Sequence, residues 1–103
     1  LLKNPLCAGA IIAVIVKKSG VVPEIEEKCA VACAVQNLLL TATSLGVSSL
    51  WSTGFPTYEN QVKGFLNLSD FDMLLGFIYL GYADSAEISA TRKPIAHVTE
   101  WFS

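Results

Sequence analysis

Two continuous apolar runs stand out in this sequence, one near its start and one in its second half. The first, AGAIIAVIV at Ala8–Val16, is rich in β-branched side chains and is closed by a polar group of lysine, serine and glycine. Its length and composition predict a strand that is covered on both faces. The second, MLLGFIYLGY within Asp72–Tyr82, predicts another buried strand. In that strand Gly76 and Gly81 indicate a bulge or a close backbone approach.

The region between these runs predicts a long helix from Pro23 to Leu45. Proline suits the first helical position, the glutamates that follow oppose the positive end of the helix dipole, and Gly46 suits the position just after the last turn. At 1.5 Å per residue the helix would be about 34 Å long. Its second part is apolar nearly all round, which indicates a helix buried on all sides or one that spans a membrane. The amides of Gln36 and Asn37 would lie near mid-span, which favours burial.

Shorter elements complete the pattern. A strand is predicted over Val47–Trp51 and a turn over Ser52–Pro56. Thr57 can cap a second helix, with Glu59 in its first turn and three apolar side chains on one face: Val62, Phe65 and Leu66. After a polar connection, the β-rich residues Ile95–Trp101 could pair as a strand with something outside this chain. The order strand, helix, strand, helix, strand and tail predicts the α/β class, as an α+β sandwich.

Composition changes this picture in one respect. Apolar residues make up 52% of the 103 residues and charged residues only 16%, although a short chain needs more polar surface than a long one. We therefore expect the helix Pro23–Leu45 to be covered by chain outside this sequence, from a missing segment, a partner subunit or both. The sequence begins with Leu and reads as a fragment, a processed chain or the visible part of a longer one. The net charge of −2 gives no basic footprint for nucleic acid.

The residues that usually carry metal or hydrolytic chemistry are sparse. Cys29 and Cys33 lie one turn apart on the predicted helix, where their Cβ directions run parallel and do not suit a disulfide. Without a second pair they are a weak metal signal, so no metal site is predicted and the cysteines are expected to be small core residues in a reducing cytoplasm. The single histidine, His97, indicates a structural role. No glycine-rich phosphate loop follows a strand, and residues 1–16 lack the features of a signal peptide, so a cytoplasmic location is expected and no membrane association is predicted.

Three motifs, taken in this order and spacing, resemble the C-terminal half of the FMN-dependent nitroreductase family. They are VACAVQNLLLTATSLGVSSLWSTG at Val31–Gly54, GFIYLGY at Gly76–Tyr82 and TRKP at Thr91–Pro94. The resemblance covers about Asn4 to Trp101 and makes residues 1–103 the C-terminal part of a single nitroreductase-like domain whose N-terminal half is absent. It implies an NAD(P)H oxidoreductase that works by ping-pong hydride transfer through FMN. The acceptor would be a small molecule such as a nitroaromatic or a quinone, and no catalytic acid or base would be needed.

The resemblance also implies which residues bind the cofactor. The matching segment of the family lines one face of the isoalloxazine ring, and a backbone N–H there donates to flavin N5 or O4. Gly54 would let the backbone approach the ring, while Ser52 and Thr53 are small enough to leave the amide exposed. Such a donor stabilises the negative charge that develops on the reduced flavin. Trp51 would lie against the ring or its pocket wall.

The tail carries two further implications of the resemblance. Arg92 matches an arginine that the family directs at the FMN phosphate, where a guanidinium makes bidentate bonds that a lysine such as Lys93 cannot copy. The segment after Pro94 resembles the family's C-terminal arm, which crosses a homodimer and adds to the sheet of the second subunit. The small residues of Ala30–Ala34 would allow close helix approach in the core of that dimer.

Each of these assignments has a plainer alternative. Ser52–Gly54 can be an ordinary turn after a strand, and Arg92 with Lys93 can be a solvated basic pair. The chain as a whole can be a non-catalytic α/β interaction module that keeps the scaffold without the cofactor. The absorption spectrum of the purified protein distinguishes the flavin enzyme from the interaction module, because only the enzyme would show flavin bands.

Overall fold

The computed structural model describes residues 7–54, 60–84 and 88–103. The element order confirms the predicted order, with bounds that differ by at most two residues for the strands and for the long helix. The elements are β1 (Ala10–Lys17), α1 (Glu24–Ser44), β2 (Ser48–Ser52), α2 (Asn60–Phe65), β3 (Asp72–Gly81) and one turn of 3₁₀ helix at Ile95–His97. The predicted cap at Thr57, with Glu59, and the part of the predicted turn beyond Gly54 lie outside the described residues.

The three strands form one antiparallel sheet in the order β1-β3-β2. The last strand in sequence, β3, is therefore central, and it is the most buried of the three. On one side it pairs with the whole length of β1, and on the other side with β2, whose last paired residue is Ser52 opposite Phe77. Beyond that pair the chain after β2 leaves the sheet.

A bulge interrupts the pairing of β1 with β3. Val14 lies opposite Gly76 and the next residue, Ile15, lies opposite Leu74, so Leu75 is the extra residue of β3. Gly76 has a φ of 144°, a backbone conformation that residues with a Cβ rarely adopt. The bulge predicted from this glycine is thus confirmed.

The helices lie on opposite faces of the sheet. On one face, Val14, Val35 and Ile78 form the buried core between the sheet and α1. Partly buried side chains pack around them: Val31, Leu38, Leu39, Trp51, Leu75 and Leu80. Residues of α2 and of the other sheet face line a cavity of about 540 Å³: Ile11, Ala13, Gln61, Val62, Phe65, Leu66 and Phe77. This layering confirms the predicted α+β sandwich.

The predicted burial of β1 on both faces is wrong for the described chain. Ile11, Ile12 and Ile15 are 49%, 36% and 37% exposed, because β1 is an edge strand and α1 covers one face only. The long helix is likewise covered along one side, where Val35 and Ala42 are its buried residues. The coverage that we expected for the rest of α1 is not supplied by the described residues. None of their helices combines the length and the apolar composition that crossing a membrane requires.

The ends of α1 are fixed by backbone and side-chain bonds. Pro23 is the N-cap and not the first helical residue, and in the preceding loop the Ser19 N–H donates to Glu27 Oε1 at 2.8 Å. The Ser19 hydroxyl donates to the same oxygen, and these bonds lower the pKa of Glu27. At the other end Gly46 has a φ of 73° and its N–H donates to the Thr43 carbonyl at 3.0 Å, as the sequence predicts.

One further expectation needs correction, and another stays a prediction. The cysteines are not core residues in this chain, since all three are free and exposed: Cys7, Cys29 and Cys33. The tail forms no strand within the described residues, because Ile95–His97 turns once as a 3₁₀ helix and 98–103 has no regular structure. His97 ends that turn, where it is exposed. Pairing of the tail with a second chain stays a prediction.

Candidate functional site

Four of the five predicted cofactor-binding residues lie together where β2 leaves the sheet. Trp51 and Ser52 are the last two residues of β2, and Thr53 and Gly54 follow them. Ser52 is therefore part of the strand and not of the turn that the sequence predicted. Thr53 is exposed and Gly54 is half-buried, so this part of the chain is partly accessible.

Gly54 adopts a conformation that favours glycine. Its φ is 147°, and a Cβ built on it would meet no atom of the described residues within 4 Å. The glycine is therefore required by its backbone angle and not by crowding. The described residues thus leave room at this point for a planar ligand to approach the backbone closely.

The environment of Trp51 differs from that of Gly54. Its side chain belongs to the cluster between the sheet and α1, and its indole nitrogen Nε1 is buried without a hydrogen-bond partner among the described residues. The indole lies directly over Gly76, where a Cβ would stand 2.6 Å from Nε1. Its buried nitrogen thus faces the core, and contact with a bound ring stays a prediction.

The fifth residue, Arg92, is not held against the other four. Every described residue of the tail, 88–103, is exposed, including Arg92 and Lys93. Packing therefore does not fix the guanidinium relative to Gly54 in the described chain. Its approach to a phosphate stays a prediction that depends on where the tail lies in the assembled protein.

The site contains no titratable side chain between Trp51 and Gly54. The carboxylates whose pKa is lowered lie elsewhere, in the first turn of α1 and at the first residue of β3. The Ser69 backbone N–H and hydroxyl lower the pKa of Asp72, and Lys28 chiefly lowers that of Glu24. What the arrangement can offer is a backbone donor, small side chains and space, which suits binding and orientation and not proton transfer.

The role of Gly76 at this site is the one feature that the sequence reasoning missed. The glycine was noted as a bulge, but its position beside Trp51 and Ser52 follows from the register of β2 against β3. In the sequence, the only sign of this close approach was a glycine inside a long apolar strand. Which neighbour it accommodates could be known only once the strands were paired.

Comparison with protein families gives a match to the nitroreductase family over residues 1–82. The 4-nitrobenzoate reductase of Pseudomonas putida is 36% identical over 61 residues, which are 58% of this chain and 27% of that protein. YdjA of Escherichia coli (strain K12), named for an inferred NAD(P)H nitroreductase activity, is 30% identical over 79 residues, 75% of this chain and 43% of that protein.

Solved structures agree with this match. A nitroreductase-like family protein from Bacillus cereus superposes with a TM-score of 0.79 at 26% identity, over 92% of this chain and 51% of that one. A protein from Desulfovibrio desulfuricans, described as an inferred nitroreductase in complex with FMN, superposes with a TM-score of 0.76 at 25% identity, over 89% of this chain and 54% of that one. The chain thus spans about half the length of these structures and less than half of the curated relatives. With a family match over most of its length, the chain belongs to the nitroreductase family.

Proposed function

We propose that this chain supplies the flavin-facing turn of an FMN-dependent NAD(P)H oxidoreductase. The observation that carries the proposal is Gly54, a positive-φ glycine at the point where β2 leaves the sheet, with no atom of the described residues within 4 Å of where its Cβ would stand. The FMN complex of the Desulfovibrio relative and the NAD(P)H nitroreductase name of YdjA support it. The chain would be the C-terminal part of one nitroreductase-like domain that acts in the cytoplasm.

In this proposal the chain's residues bind and orient. A bound FMN would accept hydride from NAD(P)H and pass it to a nitroaromatic, a quinone or a similar small acceptor. The backbone N–H groups of Thr53–Gly54 would point at N5 or O4, where an N–H dipole favours the negative charge of the reduced state. Trp51 would hold the end of β2 in place, and Arg92 would meet the phosphate. The face of the ring that is turned away from Thr53–Gly54 would admit NAD(P)H and the acceptor one after the other.

The test is the absorption spectrum of the full-length protein after incubation with FMN and removal of the unbound cofactor. We expect flavin bands that bleach when NADH or NADPH is added without oxygen and that return with a quinone. Incubation with FMN before the measurement guards against loss of the cofactor during purification. A folded protein that stays colourless after this treatment would contradict the proposal and favour the non-catalytic interaction module.

We also propose a homodimer with exchanged C-terminal arms. The outward side of α1 exposes small residues, among them Cys29, Ala30, Cys33 and Ala34. The tail exposes large apolar side chains that a soluble protein normally covers, including Ile95 at 76%, Trp101 at 91% and Phe102 at 88%. The family resemblance suggests that a second copy of the chain covers both the outward side of α1 and the tail.

We expect the full-length protein to elute as a dimer in size-exclusion chromatography with light scattering at micromolar concentration. Ala30→Glu should shift it toward the monomer, because the variant buries an unpaired charge at the helix contact. Asn60→Glu places the same charge on the exposed start of α2 and should leave the dimer intact. A monomeric wild-type protein would refute the assembly.

A further inference from the structure

Three features come together at one point of β3. The bulge places Leu75 as the extra residue, Gly76 next to it has a φ of 144°, and the pairing of β2 with β3 ends one residue further along, at Phe77. Bulges commonly end strand pairing or redirect a neighbouring segment, and they are frequent beside functional sites. Here the neighbouring segment is the start of the candidate flavin turn.

The space beside Gly76 is filled by that segment. A Cβ at position 76 would stand 2.6 Å from Trp51 Nε1, 2.7 Å from the Ser52 carbonyl oxygen and 3.1 Å from Thr53 Cγ2. Real Cβ atoms essentially never approach another heavy atom at the first two of these distances. One of the two contacts is with backbone, so the strain cannot be relieved by rotating a side chain. A side chain at position 76 would have to displace the end of β2.

We propose that Gly76 is a positioning residue for the flavin site: its bare backbone forms a slot that receives the Trp51 indole and the Ser52 carbonyl, and this fit sets where the Thr53–Gly54 turn presents its N–H groups. The inference rests on the proposed function, since it assigns a task to a residue that does not itself touch the cofactor. Among the described residues the Trp51 indole nitrogen has no hydrogen-bond partner, so in this proposal the shape of the slot holds the indole in place.

The other glycine of β3 provides a matched control. A Cβ at Gly81 would have its nearest contact at 3.7 Å, to the Gly9 nitrogen, which is ordinary van der Waals contact, and its φ is not positive. Gly76→Ala and Gly81→Ala thus add the same methyl group to the same strand. Only the first addition presses on the turn.

The experiment measures FMN affinity and the midpoint potential of the bound flavin in the full-length protein. We expect Gly76→Ala to weaken FMN about tenfold and to make the potential more negative, because the displaced N–H groups stabilise the reduced flavin less well. Gly81→Ala should match the wild type in both. Trp51→Phe in the Gly76→Ala background removes the atom at 2.6 Å and should recover part of the loss, a non-additive result that marks direct coupling.

The outcomes separate this inference from the proposed function. A wild-type protein that does not bind FMN contradicts the proposed function and takes the inference with it. A wild type that binds FMN, with a folded Gly76→Ala variant of unchanged potential, overturns the inference alone, even if the variant is less stable. If Gly76→Ala does not fold, the midpoint potential of the Trp51→Phe variant tests the inference instead. This substitution loosens the same slot from the other side. An unchanged potential in that variant would also overturn the inference.

Discussion

Gly54→Val is expected to abolish FMN binding by the full-length protein while leaving the rest of the fold in place. Two effects act together. The φ of 147° at Gly54 is a conformation that β-branched residues strongly avoid, so the turn must change its path. If the turn keeps its path, the valine side chain occupies the open space that the ring needs. The measurement is FMN affinity by fluorescence quenching, with circular dichroism to confirm the fold.

The control for this prediction is Gly20→Val. Gly20 also has a positive φ, 73°, and open space around its missing Cβ, but it lies in the loop between β1 and α1. It therefore carries comparable backbone strain, about 1–3 kcal/mol, without touching the turn. Gly20→Val should bind FMN as the wild type does. Equal affinities of wild type, Gly20→Val and Gly54→Val would exclude the Thr53–Gly54 turn as the flavin contact.

Much of the fold is predictable from this sequence because its elements are defined locally. The β-branched run of β1, the apolar run of β3 and the proline and glycine that bracket α1 each indicate an element within a few residues. The 3₁₀ turn at Ile95–His97 was not predicted, since Ile95, Val98 and Thr99 are β-branched and such residues favour a strand. A strand needs a neighbour for its backbone groups, and the described chain provides none for the tail.

Burial was less predictable than element type. An apolar run indicates that a segment is covered, but not which atoms cover it or whether they belong to the same chain. Ile11 and Ile12 illustrate the point, because they are as apolar as the buried Val14 and Val16 of the same strand and yet remain partly exposed. The difference is set by the position of β1 at the edge of the sheet and of α1 on one face, which is a tertiary property.

The candidate site likewise has a part that the sequence predicts and a part that depends on tertiary structure. The turn could be located because a glycine follows small residues at the end of a predicted strand. The residue that supports the turn, Gly76, could not be located in this way. It contacts Trp51, which is 25 positions away in sequence, only through the register of two strands. For Arg92 the chemistry could be predicted but the position could not. Its chemistry suits a phosphate, but the exposed tail gives it no fixed place, so its role depends on partners that pack against 88–103.

Arg92→Ala is expected to weaken FMN by about ten- to a hundredfold, through loss of a charge-assisted contact to the phosphate worth roughly 1.5–3 kcal/mol. Arg92→Lys should recover only part of this loss, because lysine restores the charge but not the planar fork of donors. Lys93→Ala is the matched control, since it removes one positive charge from the neighbouring exposed position and should change affinity far less. A general attraction between the basic tail and the anionic cofactor would instead weaken both alanine variants equally and fade at high salt.

The choice of ligand sharpens the same experiment. Riboflavin shares the ring with FMN but lacks the phosphate, so wild type and Arg92→Ala should bind it equally while Gly54→Val binds neither flavin. The two residues would thus act on separate parts of one molecule, Gly54 on the ring and Arg92 on the phosphate. If Arg92→Ala weakens riboflavin as much as FMN, the arginine supports the fold of the tail and does not contact the phosphate.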